Sequence, residues 1–535
     1  MNKLNFLLAA IAVSFLASCS SVNIGDDGTY IGPEGGEEMM RLGLLGVSPP
    51  VPTPREAATL SNRLPASGPL KVTVEEAVLV SLENNKSLRI ERLKPDIKKA
   101  SESIQRSAFD PSVSAGFSGS RSRTKTKISD SQSYSTGTEI ELSASLPCGT
   151  SLSAGLSTNR SWSSSPGDSH ATGLDVSITH PLLQDAGRRV NTASLRQARV
   201  DTEISEYQLR GFAEALVAQI ETTCWDYLLA RRQIEIYTDS LKLAQQQLSE
   251  TRERVAVGKL AETELAAAKA QVALRKEDLI NARSNLEKYK LNLLRLMSPP
   301  GENLWDRELV LKGEPIIPDT DPGDIKEHLS LAMVLRTDLN QARLSYKRGE
   351  LEIIKTKNGL LPRLDLFISL GKTGYAESFH GSLDSFNDGS YNYSAGISLE
   401  YPLGNRAAEA RHRQAIIGRR QAFESIENLK QLVELDVRSA FIEVKRAREQ
   451  VTATAATRQA QEETLRAERE KFRVGKSTSF LVAQAQRDTV AAAVSEIQAI
   501  VNYLKSLVDL YKAEGTLLER RGISAPGARP VEEEQ

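Results

Sequence analysis

The residues able to do chemistry are few and poorly spaced for it. The five histidines, His170, His180, His328, His380 and His412, are scattered along 535 residues and never fall at metal-ligand intervals. No His-Glu-x-x-His, phosphate loop, dinucleotide fingerprint or Gly-x-Ser-x-Gly elbow occurs. Acidic pairs such as Glu75-Glu76 and Glu462-Glu463 lie in charged helix-forming stretches, where a solvated or bridging face explains them better than catalysis. Five methionines supply no soft-ligand relay for copper or silver. Cys224 sits with Trp225 in an apolar helical register and Cys148 lies in a turn, so neither a disulfide framework nor a paired-cysteine zinc site can be built. The expectation is a chain with no catalytic residues, no metal and no cofactor. Its 68 basic and 69 acidic side chains nearly balance, which removes the electrostatic footprint of a general nucleic-acid binder.

One cysteine does carry a chemical expectation. Lys3 stands near the start, a mostly apolar stretch from Leu4 to Leu16 follows, and Ala17-Ser18 precede Cys19. A positive start, a short apolar run and small residues before a cut form a secretory signal. Leu16-Ala17-Ser18-Cys19 resembles a bacterial lipobox, in which the cysteine becomes the first mature residue and its thiol carries a diacylglycerol. Ser20, rather than Asp, follows it, so sorting to the outer membrane is expected. Residues 1–18 are thus a lipoprotein signal peptide, and 19–69, rich in Gly, Pro and Ser, a lipid-anchored tether. After the first 20 positions no apolar run of about 18 residues occurs, which excludes a bundle of transmembrane helices but not a barrel.

The elements behind these residues form one unit used twice. Asn85-Lys86-Ser87-Leu88-Arg89 is answered by Arg336-Thr337-Asp338-Leu339-Asn340, Asp110-Pro111 by Leu361-Pro362, and His180-Pro181-Leu182 by Tyr401-Pro402-Leu403. Arg254-Val255-Ala256-Val257-Gly258-Lys259 is answered by Phe472-Arg473-Val474-Gly475-Lys476, with one position of drift at its start. The first repeat, 70–310, holds a helix 73–107, strands within 111–180, a long helix 183–256 and a helix 260–297. The second, 311–520, holds a helix 325–361, strands within 362–401, a long helix 403–474 and a helix 477–519. Residues 521–535 read as a disordered tail. Leu209, Leu216, Ile220, Tyr227 and Ile234, and in the second half Ile426, Val433, Val437 and Val444, recur at about heptad spacing.

Lengths tie the helices together. Residues 183–256 make a rod of roughly 110 Å, and the two shorter helices of that half, roughly 35 and 38 residues, add to about the same length. Two short helices stacked end to end can lie beside one long one. A lone rod buries too little of its apolar stripe, so copies must close on one another.

Between these helices, apolar and polar residues alternate: Val113, Ala115 and Phe117; Ile140, Leu142, Ala144 and Leu146; Leu152, Ala154 and Leu156; Leu174, Val176 and Ile178; Leu364, Leu366, Ile368 and Leu370; Tyr391, Tyr393, Ala395, Ile397 and Leu399. The partners in the alternation are Ser, Thr and acids, as in a barrel with lipid outside and water inside. A soluble sandwich gives the same pattern; the lipid anchor and long helices favour the barrel. Pro147-Cys148-Gly149-Thr150 reads as a tight turn, and 121–135, 163–171 and 376–390 as long outer loops.

On these landmarks, from about residue 70 to 520, the sequence resembles the TolC family of outer-membrane efflux proteins, as a lipoprotein member. The carriers are the duplicated plan, the segment Asn85–Arg89, the strand-to-helix junctions Pro181-Leu182 and Pro402-Leu403, and Gly258 and Gly475; Pro111 and Pro362 mark the other two junctions between helix and strand. The resemblance implies an α+β membrane protein formed as a homotrimer: a duplicated, long antiparallel α-helical barrel continuous with a transmembrane β-barrel. It implies outer-membrane localisation in a Gram-negative-type bacterium, with the helices extending into the periplasm. A periplasmic adaptor protein and an inner-membrane pump would load the duct. Arg254, Val257, Gly258, Lys259 and Leu260, with Lys471, Val474, Gly475, Lys476 and Ser477, would be the hairpin tips that dock the adaptor.

Two departures stand out. Six and nine residues past Gly475 stand Leu481 and Gln484, so the acidic ring common in the family is not carried over. Family members usually give two strands per half and twelve per trimer, whereas roughly 70 residues separate Pro111 from Pro181, enough for four strands. Six strands per chain and a wider pore of about eighteen are expected; the rival is a hairpin folded outside the wall. The expected function is a passive exit duct, with small-molecule efflux favoured as its task and type I protein secretion the second possibility. The alternative class is a structural, periplasm-spanning coiled-coil lipoprotein without a pore.

Overall fold

The computed structural model describes residues 68–125, 130–163, 167–299, 304–318, 323–387, 390–527 and 531. The signal peptide, Cys19 and all but the end of the tether lie outside them. In chain order, strand β1 (Leu70–Val72) leads into helices α1 (Val74–Asn84) and α2 (Lys86–Arg106), then strands β2 (Ser112–Lys125), β3 (Asp130–Ser145), β4 (Ser151–Ser163) and β5 (Gly167–Pro181). The turn α3 (Arg188–Asn191) precedes the 64-residue α4 (Ala193–Ala256) and its return helix α5 (Glu262–Met297). After β6 (Leu309–Leu311) the order recurs: α6 (Ile325–Leu335), α7 (Thr337–Asn358), β7 (Arg363–Ala376), the small α8 (Phe379–Asp384), β8 (Tyr391–Glu400), the 68-residue α9 (Arg406–Arg473), α10 (Ser479–Glu514) and α11 (Leu517–Arg520).

The structure corrects the helices expected over 73–107 and 325–361: each is two helices. The breaks fall at Asn85 and Arg336, which share one extended backbone setting, φ −58° and ψ 120° against φ −54° and ψ 123°. Asn85 accepts from the Leu88 amide (3.0 Å), restarting the helix, and donates from Nδ2 to the Leu296 carbonyl at 2.8 Å. Arg336 reaches the Ala513 carbonyl from Nη1 at 3.3 Å. Each break therefore binds the C-terminal end of the other short helix of its half, α5 or α10. Helices of 11, 21 and 36 residues answer the 64 of α4, and helices of 11, 22 and 36 answer the 68 of α9.

Other boundaries move for local reasons. The long helix expected from residue 183 begins at Ala193, because Leu182 still donates to the Leu364 carbonyl (2.7 Å) beside the sheet and Asp185 takes φ 61°. The helix expected over 477–519 ends at Glu514, where Gly515 turns left-handed at φ 74° against the Leu335 backbone. The tail from residue 521 is held in part: Arg521 donates twice to buried Glu221 (2.6 and 2.8 Å), Ile523 packs on the core, and the Val531 amide meets Asn340 Oδ1 at 3.1 Å.

Two compact units result, and they cut across the sequence repeat. One comprises Asp96–Glu203 and Leu344–Glu424 and holds a single antiparallel sheet in the order β2-β3-β4-β5-β7-β8. The expected outer loops 121–135 and 163–171 are largely strand, paired out to Lys125–Asp130 and Ser163–Gly167. Cross-strand polar pairs sustain these ends in place of apolar alternation: Ser120 with Ser135 (2.8 Å), Ser161 with Ser169 (2.8 Å), and Arg160 with Asp168. The third expected loop contains α8, whose Ser382 hydroxyl meets Thr172 Oγ1 at 2.8 Å.

The other unit comprises the described residues up to Pro95, together with Ile204–Arg343 and Ser425 onward. Its centre is a parallel pair, β1 with β6, roofed by Val78, Leu216, Ile220, Leu228, Leu294 and Met297. The heptad residues Leu209, Leu216, Ile220 and Tyr227 enter that core, and Val433, Val437 and Val444 enter a second one around Phe441 and Tyr503. Thr73 and Glu76 close a capping box at the start of α1.

Candidate docking tips and channel lining

The two hairpin tips fold identically. In the first, the Lys259 amide donates to the Arg254 carbonyl (2.8 Å) and the Gly258 amide to Val255 (3.0 Å). In the second, Lys476 donates to Lys471 (2.8 Å) and Gly475 to Phe472 (3.1 Å). Both are Schellman closures, with Gly258 at φ 72° and Gly475 at φ 77° supplying the left-handed residue the motif needs. The match removes the expected drift: Arg254 corresponds to Lys471, and each later position follows in step, Leu260 with Ser477 included.

The tips lie side by side. The Arg254 guanidinium stacks over the Phe472 ring at 5.1 Å, and the Ser479 hydroxyl donates to Glu264. Val257 and Val474 are 67% and 62% exposed, with Lys259 and Lys476 exposed beside them. Lys471 and Ser477 are committed elsewhere: both bind Glu468, at 2.5 and 2.7 Å, and hold its carboxyl below the usual carboxylate range, Lys471 first. Phe472, Glu264 and exposed Phe480 belong to the same surface, and the basic-x-x-x-Gly pattern alone did not single them out. What the pair offers is a small apolar crown with free lysines. That is the chemistry of a docking surface.

The sheet supplies the second surface. Its register aligns the alternation of all six strands, so that Val113, Leu142, Ala154, Val176, Leu370 and Tyr393 form one continuous row. Rows of this kind run from Leu364–Leu399 up to the row of Ala115, Ile140, Leu156 and Leu174, about 26 Å of strand, and that last row also holds Lys372; the row above it sets Phe117 beside Thr138, Thr158, Thr172 and Gly374. Beyond the belt on the same face, Tyr134 packs on Trp162 (5.4 Å) under the Arg121 guanidinium (4.8 Å). The opposite face aligns Ser112, Ser143, Ser153, Ser177, Ser369 and Ser394 in another row, with Ser112–Ser143 and Ser153–Ser177 hydrogen-bonded at 2.9 and 2.8 Å. The next row on that face carries Glu141 and Asp175 and ends on Gly371 and Asn392. A Cβ at Gly371 would come within 2.0 Å of Asn392 Oδ1 and 2.5 Å of Asp175 Oδ1, so glycine is what lets those polar groups lie across the surface.

The four junction prolines flank the strands. Pro111 and Pro362 stand just before β2 and β7, Pro181 ends β5 opposite Asp365, and Pro402 follows β8. Before β2 and β7 the ring disfavours helix in the residue ahead of it, which separates α2 and α7 from the sheet. Cys148 lies in the β3–β4 turn with its Sγ 3.1 Å from Thr150 Oγ1, and Cys224 is buried. Among the described residues no group of three His, Cys, Asp or Glu is placed to hold a metal, and no helix is long and apolar enough to cross a membrane.

Comparison with known proteins places this geometry. The profile described as outer membrane efflux protein matches residues 149–298 and 328–516. The chain is 22% identical over 379 residues to "Proteases secretion protein PrtF" of Dickeya chrysanthemi, covering 66% of this chain and 78% of that protein. It is 25% identical over 360 residues to "Outer membrane protein TolC" of Escherichia coli K12, covering 66% and 71%. The solved CmeC outer membrane channel of Campylobacter jejuni shares its fold with a TM-score of 0.64 at 16% identity, over 93% of this chain and 94% of that one. Matched in both halves over the greater part of its length, the chain belongs to the outer membrane efflux protein family.

Proposed function

We propose that this protein is the passive exit duct of a tripartite export system in the outer membrane. The observation that carries the reading is the two-faced sheet: an apolar belt about 20 Å tall at ordinary barrel tilt on one side, and serine, glycine and carboxylates on the other. In this reading three copies close a β-barrel through the bilayer, and their long helices close a tube in the periplasm. Diacylglycerol on Cys19 anchors each copy. The duct carries out no catalysis; a pump in the inner membrane supplies the work, and an adaptor joins it to the duct at the paired tips. Cargo is set by the pump. Small molecules remain the favoured class, and a relative named for protease secretion supports protein as the second.

Gly475→Val tests both the duct and the tips. No atom lies within 4 Å of a Cβ built at Gly475, so the cost is the left-handed backbone alone, about 1–2 kcal/mol. The variant should reach the outer membrane as a trimer and conduct in a planar bilayer, yet fail to export. Unimpaired export would remove the tips from docking. A parent protein that gives no conductance would instead favour the poreless coiled-coil lipoprotein.

A further inference from the structure

We propose that the extra hairpin of the first half is built into the barrel wall, so that β8 of one copy pairs with β2 of the next and three copies close eighteen strands. The inference rests on the duct reading above and adds how the wall is made and how wide it is. Four observations carry it.

First, the added strands are continuous with the rest. β3 is paired along most of its length on both sides, to β2 from Ser112–Ser143 to Lys125–Asp130 and to β4 from Ser133–Ser163 to Ser145–Ser151. A hairpin folded outside the wall would have to give up one of these ladders. The family profile begins its match at residue 149, after β2 and β3.

Second, the two ends of the sheet are open edges of 14 and 10 residues, β2 and β8. Hydrocarbon tolerates no unpaired backbone edge. At belt height neither strand carries the lysine, proline or inward charge that natural edges use to block pairing; Arg121, Arg123 and Lys125 lie beyond the belt at one end and Glu400 at the other.

Third, the edges match each other. Both present the belt on the same face, Val113 and Phe117 on β2 and Tyr393 and Ile397 on β8, all highly exposed in the single chain. Both end the serine row, at Ser112 and Ser394. With an even number of strands, β2 and β8 run in opposite directions, so the joint between copies is the same antiparallel ladder as every other.

Fourth, six strands cannot make a duct alone. At ordinary spacing and tilt, a six-stranded ring is about 12 Å across its backbone and fills with side chains. Twelve strands give about 24 Å and eighteen about 36 Å. The inner face mixes serines and glycines with the larger Glu139, Glu141, Asp175 and Phe367, which a ring of that width accommodates.

The test is inter-copy cross-linking in the detergent-solubilised trimer. Ser394→Cys is combined in turn with a cysteine at Ser112, Ser114, Ser118 or Ser120 of β2, or at Ser153, Ser157 or Ser161 of β4, and treated with a short bismaleimide. A covalent trimer ladder from a β2 position and none from β4, with an end-on ring of about 36 Å by electron cryomicroscopy, is the expected result. A ladder from β4, or a ring near 24 Å, overturns the eighteen-stranded wall while leaving a twelve-stranded duct standing. A particle that is monomeric without cross-linker removes the duct reading as well.

Discussion

Glu214 is buried on α4 one turn after Arg210, whose Nε lies 3.4 Å from Glu214 Oε1 while the rest of the guanidinium bonds Glu519. Loss of hydration outweighs the arginine's attraction and pushes the Glu214 carboxyl up to about 7. The unfolded chain ionises this group near 4.5. The protonated form therefore lends stability at acid pH that drains away as pH rises through that window, and above it the charge is held buried at a cost. Glu214→Gln keeps the shape, and Arg210 keeps Glu519. The variant should be more stable than the parent at pH 8, by up to about 3 kcal/mol, with the gap closing by pH 4 in thermal unfolding. Lower stability at pH 8 would mean that Arg210 holds Glu214 as an ion pair. None of this was legible in the sequence, where charges four apart on a helix read as a solvated face. The tip glycines were legible, because a left-handed turn between helices leaves glycine as its signature at one position. Phe472 and Glu264 were not, because their role depends on the other hairpin lying beside them.

The strands were legible wherever one side of the sheet is apolar and silent elsewhere. Leu364, Leu366, Ile368 and Leu370 announce β7 by alternation alone. The ends of β2 and β3 beyond Phe117 are mostly Ser, Gly, Thr, Gln and charged residues, whose backbone ladder is supplemented by cross-strand hydroxyl contacts and leaves no apolar period-two signal. The three-residue β1 and β6 are too short for any pattern, and the breaks at Asn85 and Arg336 lack the glycine or proline that would have marked them. Where alternation does speak, it makes a sharp prediction about lipid. Ile368 lies within the belt, and Ser369, its neighbour, lies in the serine row. Ile368→Lys should destabilise the barrel by about 2–4 kcal/mol, read as a lower temperature for heat-dissociating the trimer in SDS. Ser369→Lys should leave that temperature nearly unchanged. Equal effects at the two positions would mean that neither face meets hydrocarbon, as in a soluble sandwich.

At the scale of the whole molecule, helix length was readable from residue counts, because an unbroken α-helix converts sequence into distance at a fixed rate. The structure adds the constraint that makes length matter. The two tips touch through Arg254 on Phe472 and Ser479 on Glu264, so hairpins α4–α5 and α9–α10 must end at one level. Inserting one heptad after Gln246 and another after Ala270 keeps the apolar seam of α4–α5 in register and lengthens that hairpin by about 10 Å. Its tip then overshoots the second, and both contacts are lost. Matching heptads after Glu463 and Arg487 bring the tips level again. If docking uses the pair of tips as one surface, as proposed, binding of the purified trimer to its adaptor should fail with the first pair of insertions and return with all four. If the half-lengthened protein binds its adaptor as well as the parent does, each tip docks alone, and the equal heights of the two hairpins serve only the packing of the helices.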